Sequence, residues 1–305
     1  MGVRLLRSRT HRWRIAKALA GLLPLAWRRH LLYAKHYRRW PNLKDPIRFS
    51  EKMQWRVIQD RSSLLIVMCD KMKAYEYARS VAEQDGLRLH IPRVLSFSTE
   101  LDTFIGDLQR LYQQGELPRR FVIKPNHGSG QVLAVEGAPD WSEIRQLLIG
   151  WISDTDYSGL RWVWGYSQAR HGLIAEEYIG GIAEPLEWQA WMFNGEPAAY
   201  LLKQRNDSGF SRANYDPQWQ RLPPWNNTDR DWLDVSVPPT KAAEVLQIAK
   251  ALSAGWSHLR VDLYVDASDQ IWIGELTAYS QEGLLRANEE ADDFDQRLGR
   301  LWQLP

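Results

Sequence analysis

The sequence predicts an α+β protein in which helices alternate with antiparallel β-hairpins. Two observations carry this prediction. Near the C-terminus, the apolar runs HLRVDLYV and IWIGELT flank the short polar turn DASDQ, a pattern that is typical of a hairpin. In the middle of the chain, apolar runs at 121–123 and 132–135 flank a glycine-bearing turn. Because the chain has 305 residues and exceeds one typical domain, we expect more than one folding unit.

The remaining elements are predicted from apolar runs and from the turn residues between them. The chain begins with a basic region that we expect to be helical to about Asp60. Residues 206–238 are rich in Asn, Asp and Pro, so we expect them to be mostly loop. The turn Asn194-Gly195 is expected to join two strands. We expect strands at 90–97, 173–179, 186–193 and 197–205, and helices at 70–83, 99–114, 141–151, 240–254 and 291–301.

The overall composition is that of an ordinary globular enzyme, with 44% hydrophobic and 25% charged residues. Its one cysteine, Cys69, excludes an intrachain disulfide and a cysteine-based metal cluster. A free cysteine also favours the cytoplasm. The 16 tryptophans are unusual, and several lie in the middle third of the chain. We expect most of them in the core, with an aromatic platform for a sugar or peptide acceptor as the alternative.

Charge is distributed unevenly along the chain. Residues 1–48 contain 13 Lys or Arg residues and one acid, Asp45. The apolar run from Ala18 to Trp27 is too short to span a bilayer, and a basic pair follows it, so neither a membrane span nor a signal peptide is expected. Two alternatives remain for residues 1–40: a helix on an anionic membrane surface, or a helix on the acidic remainder of the protein. Nucleic-acid binding is disfavoured, because the basic excess is confined to one arm.

The C-terminal hairpin carries two acidic residues on apolar strands. Asp262 and Glu275 lie thirteen residues apart, one on each strand, and can point to the same face of an antiparallel pair. Adjacent carboxylates repel each other unless a hard cation such as Mg²⁺ lies between them. Arg260 and Thr277 would flank such a site. The alternative is a pair of solvated carboxylates on an exposed sheet face.

A strand that ends in Lys124 precedes a turn with several backbone N–H groups. Such a turn can approach phosphate oxygens, and the lysine can add a positive charge to the same ligand. The segment lacks the pattern GxxxxGK[ST], so an ordinary glycine hairpin with a surface lysine remains the alternative. The residues of this turn are Asn126, His127, Gly128, Ser129 and Gly130.

Two further segments have polar residues where an anionic or nucleotide ligand could bind. Lys71 opens a predicted helix, where its charge opposes the helix dipole, and an anionic ligand would resolve that conflict. The apolar strand that begins at Leu173 carries Glu176 and Glu177. Its backbone could face an adenine edge, and Glu184 could accept hydrogen bonds from ribose hydroxyls. The alternatives are a tolerated surface lysine and an edge strand with solvated glutamates.

Taken in order, six stretches resemble the TupA-like ATP-grasp family, and the resemblance runs from about Tyr33 to the C-terminus. The resemblance implies an ATP-grasp fold, in which two α/β subdomains clasp ATP after a basic helical N-terminal region. The implied divisions are 1–69 for that region, 70–180 for a small subdomain with the lysines and glycine loop, and 181–305 for a large subdomain with the Mg²⁺ site. The stretches are LKDPIRFSEKMQW, FVIKPNHGSG, IAEEYI, FNGEP, RVDLY and IGELT.

The resemblance also implies roles for individual residues. Lys71 and Lys124 match lysines that contact phosphates, and residues 126–130 match the loop over those phosphates. Lys203 or Arg205 could reach the γ-phosphate, and Arg260 matches the arginine that steadies the transferred phosphoryl group. The adenine hinge is matched by Glu176, Glu177, Tyr178 and Ile179, and the ribose acid by Glu184. The Mg²⁺ ligands are matched by Asp262, Glu275 and Thr277.

The activity that the resemblance implies is an ADP-forming carboxylate–amine ligase that uses ATP and two Mg²⁺ ions. It would act on an amino acid or other amine and a carboxylate-bearing substrate such as a sugar polymer, in cell-envelope, exopolysaccharide or teichuronopeptide-like synthesis. Two alternatives remain: an ATP-grasp phosphotransferase, and a non-catalytic nucleotide-binding module that scaffolds glycosyltransferases. The sequence departs from the family at Tyr75, at WQAWMF and at AYSQEG after Thr277, positions nearer the substrate than the nucleotide.

Overall fold

The computed structural model describes seven stretches of the chain: 23–128, 130–153, 162–180, 183–206, 209–225, 231–285 and 288–304. Within them the chain forms two compact units. Unit 1 contains the described residues up to Leu32 together with Pro92–Tyr178, and unit 2 contains Tyr33–Ile91 together with the described residues from Ile179 onward. The three-part division given above remains a prediction.

Most helices lie close to the predicted positions, but those at Ser63–Cys69 and Trp164–Gln168 were not predicted. The helices are α1 (Leu25–Tyr37), α2 (Phe49–Gln59), α3 (Ser63–Cys69), α4 (Lys71–Gln84), α5 (Leu101–Gln113), α6 (Trp141–Ser153), α7 (Trp164–Gln168), α8 (Ala242–Leu252) and α9 (Glu289–Leu301). A short 3₁₀ helix, Ser280–Gly283, follows the last strand.

The strands agree with the prediction except in the segment that we expected to be loop. They are β1 (Val94–Ser98), β2 (Arg120–Pro125), β3 (Leu133–Glu136), β4 (Leu173–Glu177), β5 (Leu186–Phe193), β6 (Glu196–Asn206), β7 (Gly209–Tyr215), β8 (Arg221–Leu222), β9 (Asp231–Trp232), β10 (Leu259–Val265) and β11 (Ile271–Thr277). The loop prediction for 206–238 was wrong over Gly209–Tyr215, because β7, with the polar sequence GFSRANY, pairs with β6 from Tyr200↔Tyr215 to Asn206↔Gly209. This strand is held by its ladder hydrogen bonds rather than by an apolar pattern, so its composition did not predict it.

Unit 1 contains a four-stranded antiparallel sheet with the order β1-β4-β2-β3. Alternate residues of the β2–β3 hairpin point into its core, where Phe121 and Ile123 on β2 are joined by Leu133 and Val135 on β3. Helices α5 and α6 add apolar residues to the same core. This packing holds β2 in place. It therefore also holds Lys124, which follows the apolar residues 121–123 on that strand.

Unit 2 contains a larger sheet with the strand order β11-β10-β5-β6-β7-β8, and β9 pairs in parallel with β7. Helix α8 packs against β5, β6 and β10 with an apolar face that includes Val245 and Ile248. Four of the described tryptophans are fully buried: Trp188, Trp191, Trp225 and Trp302. Trp27 and Trp40 are each 59% exposed, so the expectation that most tryptophans lie in the core is confirmed only for part of them.

Candidate active site

The predicted carboxylates face each other in the β10–β11 hairpin. In the register of this antiparallel pair, Asp262 is opposite Glu275, and Arg260 is opposite Thr277. A β-bulge follows, and Gly274 is skipped in the pairing. A Cβ atom on Gly274 would lie 2.6 Å from the Tyr264 ring and 3.1 Å from the Asp262 carbonyl oxygen, so only glycine fits here without a shift. The hairpin pairing that we predicted from the sequence is therefore confirmed.

Arg260 binds the Asp262 carboxylate through two donors. Arg260 Nε donates to Asp262 Oδ1 at 2.7 Å, and Nη2 donates to Oδ2 at 2.5 Å. Arg260 Nη2 also donates to Thr277 Oγ1 at 3.1 Å. Asp262 is only 4% exposed. The expected alternative, a pair of solvated carboxylates on an open sheet face, is therefore wrong for Asp262.

The neighbouring strands extend this polar face. Glu187 on β5 lies opposite Tyr264 of β10 and opposite Lys203 of β6. Its carboxylate accepts a hydrogen bond from Lys203 Nζ at 2.6 Å and one from Gln189 Nε2 at 2.8 Å. Glu187 was missed by our sequence reasoning, although an acid within the apolar run LEWQAWMF is a signal that could have identified it.

Burial and like charges shape the protonation of this face. Burial raises the pKa of Asp262 to about 7; Arg260 opposes the shift, and Glu275 and Glu187 add to it. Burial alone would lower the pKa of Arg260, but Asp262, Glu275 and Glu187 raise it. Three carboxylates, Asp262, Glu275 and Glu187, therefore repel one another here, with Arg260 and Lys203 as the cations beside them. A divalent cation would relieve this repulsion.

The oxygen atoms of Asp262, Glu275 and Thr277 are of the type that binds Mg²⁺ together with a phosphate-bearing substrate. Within the described part of the chain, no three side chains among His, Cys, Asp and Glu gather in the arrangement of a metal site. In nucleotide-dependent enzymes, Mg²⁺ is held by one or two carboxylates together with water and phosphate oxygens. The two opposed carboxylates and the Thr277 hydroxyl can supply the protein's share of these ligands. A carboxylate has about four lone-pair positions, so the Arg260 bonds leave Asp262 able to accept more.

Lys71 is the first residue of α4, as predicted, and α4 packs against β11. Asp70 caps this helix by accepting a hydrogen bond from Lys73 N at 3.1 Å. An acid therefore already stabilises the helix N-terminus, and the dipole conflict that we expected at Lys71 is smaller than the sequence implied. Burial raises the pKa of the neighbouring Cys69 thiol, with Lys71 lowering it and Glu275 raising it. Lys71 and Glu275 thus share one electrostatic environment.

In unit 1, Lys124 is paired with an acid from the predicted hinge. Lys124 Nζ lies 2.5 Å from Glu176 Oε1, and both side chains are buried. Glu177 uses its carboxylate to accept a hydrogen bond from Arg93 N at 2.7 Å, and its own N–H donates to Arg93 O at 3.0 Å. The Glu176 and Glu177 side chains therefore hold strands of unit 1, and the contact of this segment with adenine remains a prediction.

The last hinge residues and the ribose candidate lie close in sequence but belong to different units. The Arg120 guanidinium lies over the Tyr178 ring at 3.5 Å from its centroid, within unit 1. Ile179 begins the second part of unit 2. Glu184 accepts a hydrogen bond from Gln204 Nε2 through its backbone oxygen at 3.2 Å.

The predicted phosphate loop is fixed at its start. Asn126 is fully buried, its N–H donates to Gly172 O at 2.8 Å, and its Nδ2 donates to Arg170 O at 2.8 Å. The His127 ring stacks on His171 with centroids 3.9 Å apart. Gly128 and Gly130 have φ angles of +90° and +80°, which glycine adopts without strain. Ser129, which we also predicted for this loop, lies outside the described residues.

A group of cations surrounds one aromatic ring on the β6–β7 hairpin. Lys203 lies 4.5 Å, Arg205 5.3 Å and Arg212 5.7 Å from the centroid of the Phe210 ring. The register places Lys203 opposite Arg212 and Arg205 opposite Phe210. Arg212 was missed because we predicted its segment as loop.

No helix in the described ranges is both long and apolar enough to cross a bilayer.

No curated protein matches the chain. Among solved structures, the chain is similar to the macrocyclase MdnC of Microcystis aeruginosa bound with its precursor peptide MdnA, with 12% identity over 80% of this chain and 63% of that one and a TM-score of 0.38. The N5-carboxyaminoimidazole synthetase of Staphylococcus aureus gives 13% identity, coverages of 78% and 53%, and a TM-score of 0.39.

A third similar structure is the L-amino acid ligase of Bacillus licheniformis, with 15% identity, coverages of 77% and 46%, and a TM-score of 0.39. The chain thus spans between 46% and 63% of the length of these three proteins. A family model described as TupA-like ATPgrasp matches residues 51–303, most of the chain. As the resemblance of the six stretches predicts, the chain belongs to the TupA-like ATP-grasp family and has its α+β ATP-grasp fold.

Proposed function

We propose that this protein is an ATP-dependent, ADP-forming carboxylate–amine ligase. The observation that carries the proposal is the β10–β11 hairpin, where two opposed carboxylates adjoin a buried arginine that is already oriented. Such a face suits a phosphoryl-transfer site, because catalysis of that reaction depends mainly on positioning and on neutralising the phosphate oxygens.

Asp262 and Glu275, with Thr277, are the proposed Mg²⁺ ligands. Bound Mg²⁺ would supply positive charge beside the phosphate oxygens. Arg260, held in place by Asp262, would contact the transferred phosphoryl group. Lys71, Lys124 and the loop 126–130 would contact the polyphosphate, and the backbone of 176–179 would contact adenine, with Glu184 at the ribose.

The proposed reaction has two steps. A substrate carboxylate oxygen forms a bond to the γ-phosphorus of ATP as the bond to ADP breaks, which yields an acylphosphate. The nitrogen of an amine then attacks the acyl carbon, phosphate leaves, and the nitrogen loses a proton. Lys203, Arg205 and Arg212, which surround Phe210, are suited to the anionic substrate or the γ-phosphate. Lys203 is already oriented by Glu187.

Release of ADP tests this proposal. The ligase should release ADP only when both a carboxylate and an amine are supplied, and hydroxylamine should trap the acylphosphate as a hydroxamate. A phosphotransferase would release ADP with a hydroxyl substrate and give no hydroxamate. Binding of Mg·ATP without turnover on any substrate would favour the non-catalytic module.

For the substrate, we propose an amino acid or other amine and a carboxylate-bearing acceptor such as an envelope or exopolysaccharide polymer. The protein would act in the cytoplasm, at the inner face of the membrane. Support for the membrane contact comes from α1 and from Leu23, two residues before it. Leu23, Trp27 and Leu31 follow each other at four-residue spacing and are 38%, 59% and 42% exposed. They are part of the basic region 1–48, which suits an anionic surface.

A further inference from the structure

A buried arginine outside the proposed ligand-binding residues holds the two ends of the β10–β11 hairpin. Arg56 lies on α2 and is 3% exposed. Its Nη1 donates to His258 O and to Ala278 O, each at 2.9 Å. His258 directly precedes β10, and Ala278 directly follows β11. One side chain therefore bridges the two strands just beyond the end of their ladder.

The bridge lies next to two residues of the proposed site. Arg260↔Thr277 is the last pair of the β10–β11 ladder at this end, and these two side chains share the 3.1 Å hydrogen bond described above. Beyond the last pair, the backbone carbonyls lose ladder partners, and a buried carbonyl without a hydrogen bond is costly. Arg56 supplies that hydrogen bond to both strands at once, so it fixes their separation where Arg260 and Thr277 meet.

The surroundings of Arg56 restrict where its guanidinium can lie. Nη2 donates to Ser257 Oγ at 3.2 Å, and the guanidinium lies over the Trp302 ring at 4.4 Å from its centroid. Asp60 is 3.7 Å from Nε. Burial lowers the pKa of Arg56 to about 10, so the side chain is still charged at neutral pH. Removing a cation from water is costly, and a purely apolar core would avoid that cost.

Arg56 also affects His258, whose carbonyl it binds. Burial, together with the charge of Arg56, lowers the pKa of His258 well below its ordinary value, so the ring is neutral. His258 Nδ1 donates to Met192 O at 3.0 Å, because a carbonyl only accepts. Nε2 then accepts from Ser280 Oγ at 3.0 Å. The start of β10 is thereby joined to β5 and to the segment after β11.

We infer that Arg56 is a positioning residue for Arg260 and Thr277: by binding the carbonyl groups at both hairpin ends, it sets the spacing at which these two side chains meet a phosphate ligand. The consequence for nucleotide binding rests on the proposed function, whereas the effect on the hairpin does not. The inference assigns a role to the segment FSEKMQWR, which supplies none of the proposed phosphate, adenine or metal ligands.

Hydrogen exchange tests the effect on the hairpin without any nucleotide. Arg56→Met keeps the apolar stem and removes the donors, and Arg56→Lys keeps a donor. We expect Arg56→Met to speed amide exchange at least tenfold at 258–261 and 276–280, with 264–271 at the far end of the hairpin unchanged. Arg56→Lys should stay within about threefold of the wild type. Arg88→Met, at an exposed arginine of unit 2, is the matched control and should change neither segment.

Calorimetry with Mg·ATP tests the consequence for the site. We expect Arg56→Met to weaken Mg·ATP binding about tenfold and Arg56→Lys to recover most of the affinity. If exchange rises equally throughout unit 2, or does not rise at all, the positioning role is wrong. If Arg56→Met does not fold, Arg56→Gln takes its place, because its shorter amide cannot reach both carbonyl oxygens; exchange should then rise at 258–261 and 276–280, and an equal rise throughout unit 2 overturns the role. If wild type binds no Mg·ATP, the proposed function fails, while the exchange result still decides the role of Arg56.

Discussion

Asp262 faces Glu275 across the β10–β11 ladder while both of its oxygens accept hydrogen bonds from Arg260. This carboxylate is therefore stabilised by a cation on its own strand and repelled by an acid on the next one. Burial raises its pKa to about 7, despite Arg260. The balance of these effects makes the hairpin sensitive both to protons and to an added cation.

The first prediction concerns pH. An unfolded aspartate has a pKa near 3.9, so between about pH 4 and 7 the folded chain binds more protons at Asp262 than the unfolded chain does. This group therefore lowers the free energy of unfolding as pH rises through that window. Mg²⁺ competes with the proton, so Mg²⁺ should raise the melting temperature more at pH 8 than at pH 5.5. Thermal unfolding with and without Mg²⁺ measures this.

The control for that prediction is Asp262→Asn, which removes the titrating group at nearly constant volume. In this variant the difference between the Mg²⁺ effects at pH 8 and pH 5.5 should disappear. A difference that persists in Asp262→Asn would show that another group binds the cation.

The second prediction concerns Glu275. Glu275→Gln removes the opposed charge and one proposed Mg²⁺ ligand, so turnover should fall by at least a hundredfold in an assay of ADP release. Loss of one electrostatic contact to a transferring group typically costs about 10²–10³ in rate. Glu76→Gln makes the same change at an exposed residue of unit 2 and should retain activity. Wild-type turnover in Glu275→Gln would contradict the assignment of the metal site.

The third prediction separates structure from binding at Lys124. Lys124→Met leaves the Glu176 carboxylate buried without this cation, and breaking such a pair costs about 3–5 kcal/mol. The double variant Lys124→Met/Glu176→Gln should recover most of that stability, because no charge is then left uncompensated. Denaturant unfolding measures both values.

Binding of Mg·ATP should not recover in the double variant if Lys124 contacts phosphate. Calorimetry on the double variant therefore decides between a ligand role and a structural role. Full affinity in a stable double variant would assign Lys124 to the core of unit 1 alone.

The sequence predicts those parts of the site that depend on local pattern. The pairing of Asp262 with Glu275 is predictable because two apolar strands of known length meet at a short turn. Partners that are distant in sequence leave no such pattern. Nothing near Lys124 indicates that Glu176 is its counter-ion, and nothing near Arg56 indicates that it binds the carbonyl of Ala278.

What the sequence reasoning missed has a common physical origin. Strand β7 is stabilised by ladder hydrogen bonds, which any residue type supplies, so its polar sequence was taken as loop. The adenine-hinge role of Glu177 stays a prediction, but nothing in the sequence indicated that its carboxylate accepts a hydrogen bond from the backbone N–H group of Arg93. In both cases backbone groups make the hydrogen bonds. Nearly every residue carries the same backbone groups, so the amino-acid composition does not predict where they pair.

The fourth prediction concerns close packing in the hairpin. Gly274→Ala would place a Cβ atom 2.6 Å from the Tyr264 ring, and the ring must move away from its half-buried position. Overpacking of this kind costs about 1–3 kcal/mol, measured as a lower free energy of unfolding in denaturant. Gly150→Ala is the matched control, because among the described residues no atom outside the adjoining backbone of α6 lies within 4 Å of its Cβ position. A helical glycine replaced by alanine should raise stability by about 0.5–1 kcal/mol. Equal effects of the two variants would refute the packing argument.

The fifth prediction concerns the exposed apolar residues of α1. The double variant Trp27→Ala/Leu31→Ala should bind vesicles with anionic lipid at least tenfold more weakly in a sedimentation assay. Burial of each large apolar side chain in the interface is worth roughly 1.5–3 kcal/mol, so two of them easily account for a tenfold change. Neutral vesicles should bind even the wild type weakly, since the basic residues of 1–48 would have no anionic partner.

The matched control for α1 uses two apolar residues that are exposed to a similar extent elsewhere. Tyr112 and Ile149 are 45% and 49% exposed, so Tyr112→Ala/Ile149→Ala removes a comparable apolar surface. If this control weakens vesicle binding as much as the α1 variant, exposed apolar area alone explains the binding. If the α1 variant binds anionic vesicles like wild type, the membrane contact is wrong. A concentration-dependent dimer in scattering measurements that the α1 variant abolishes would assign the face to a second copy of the chain instead.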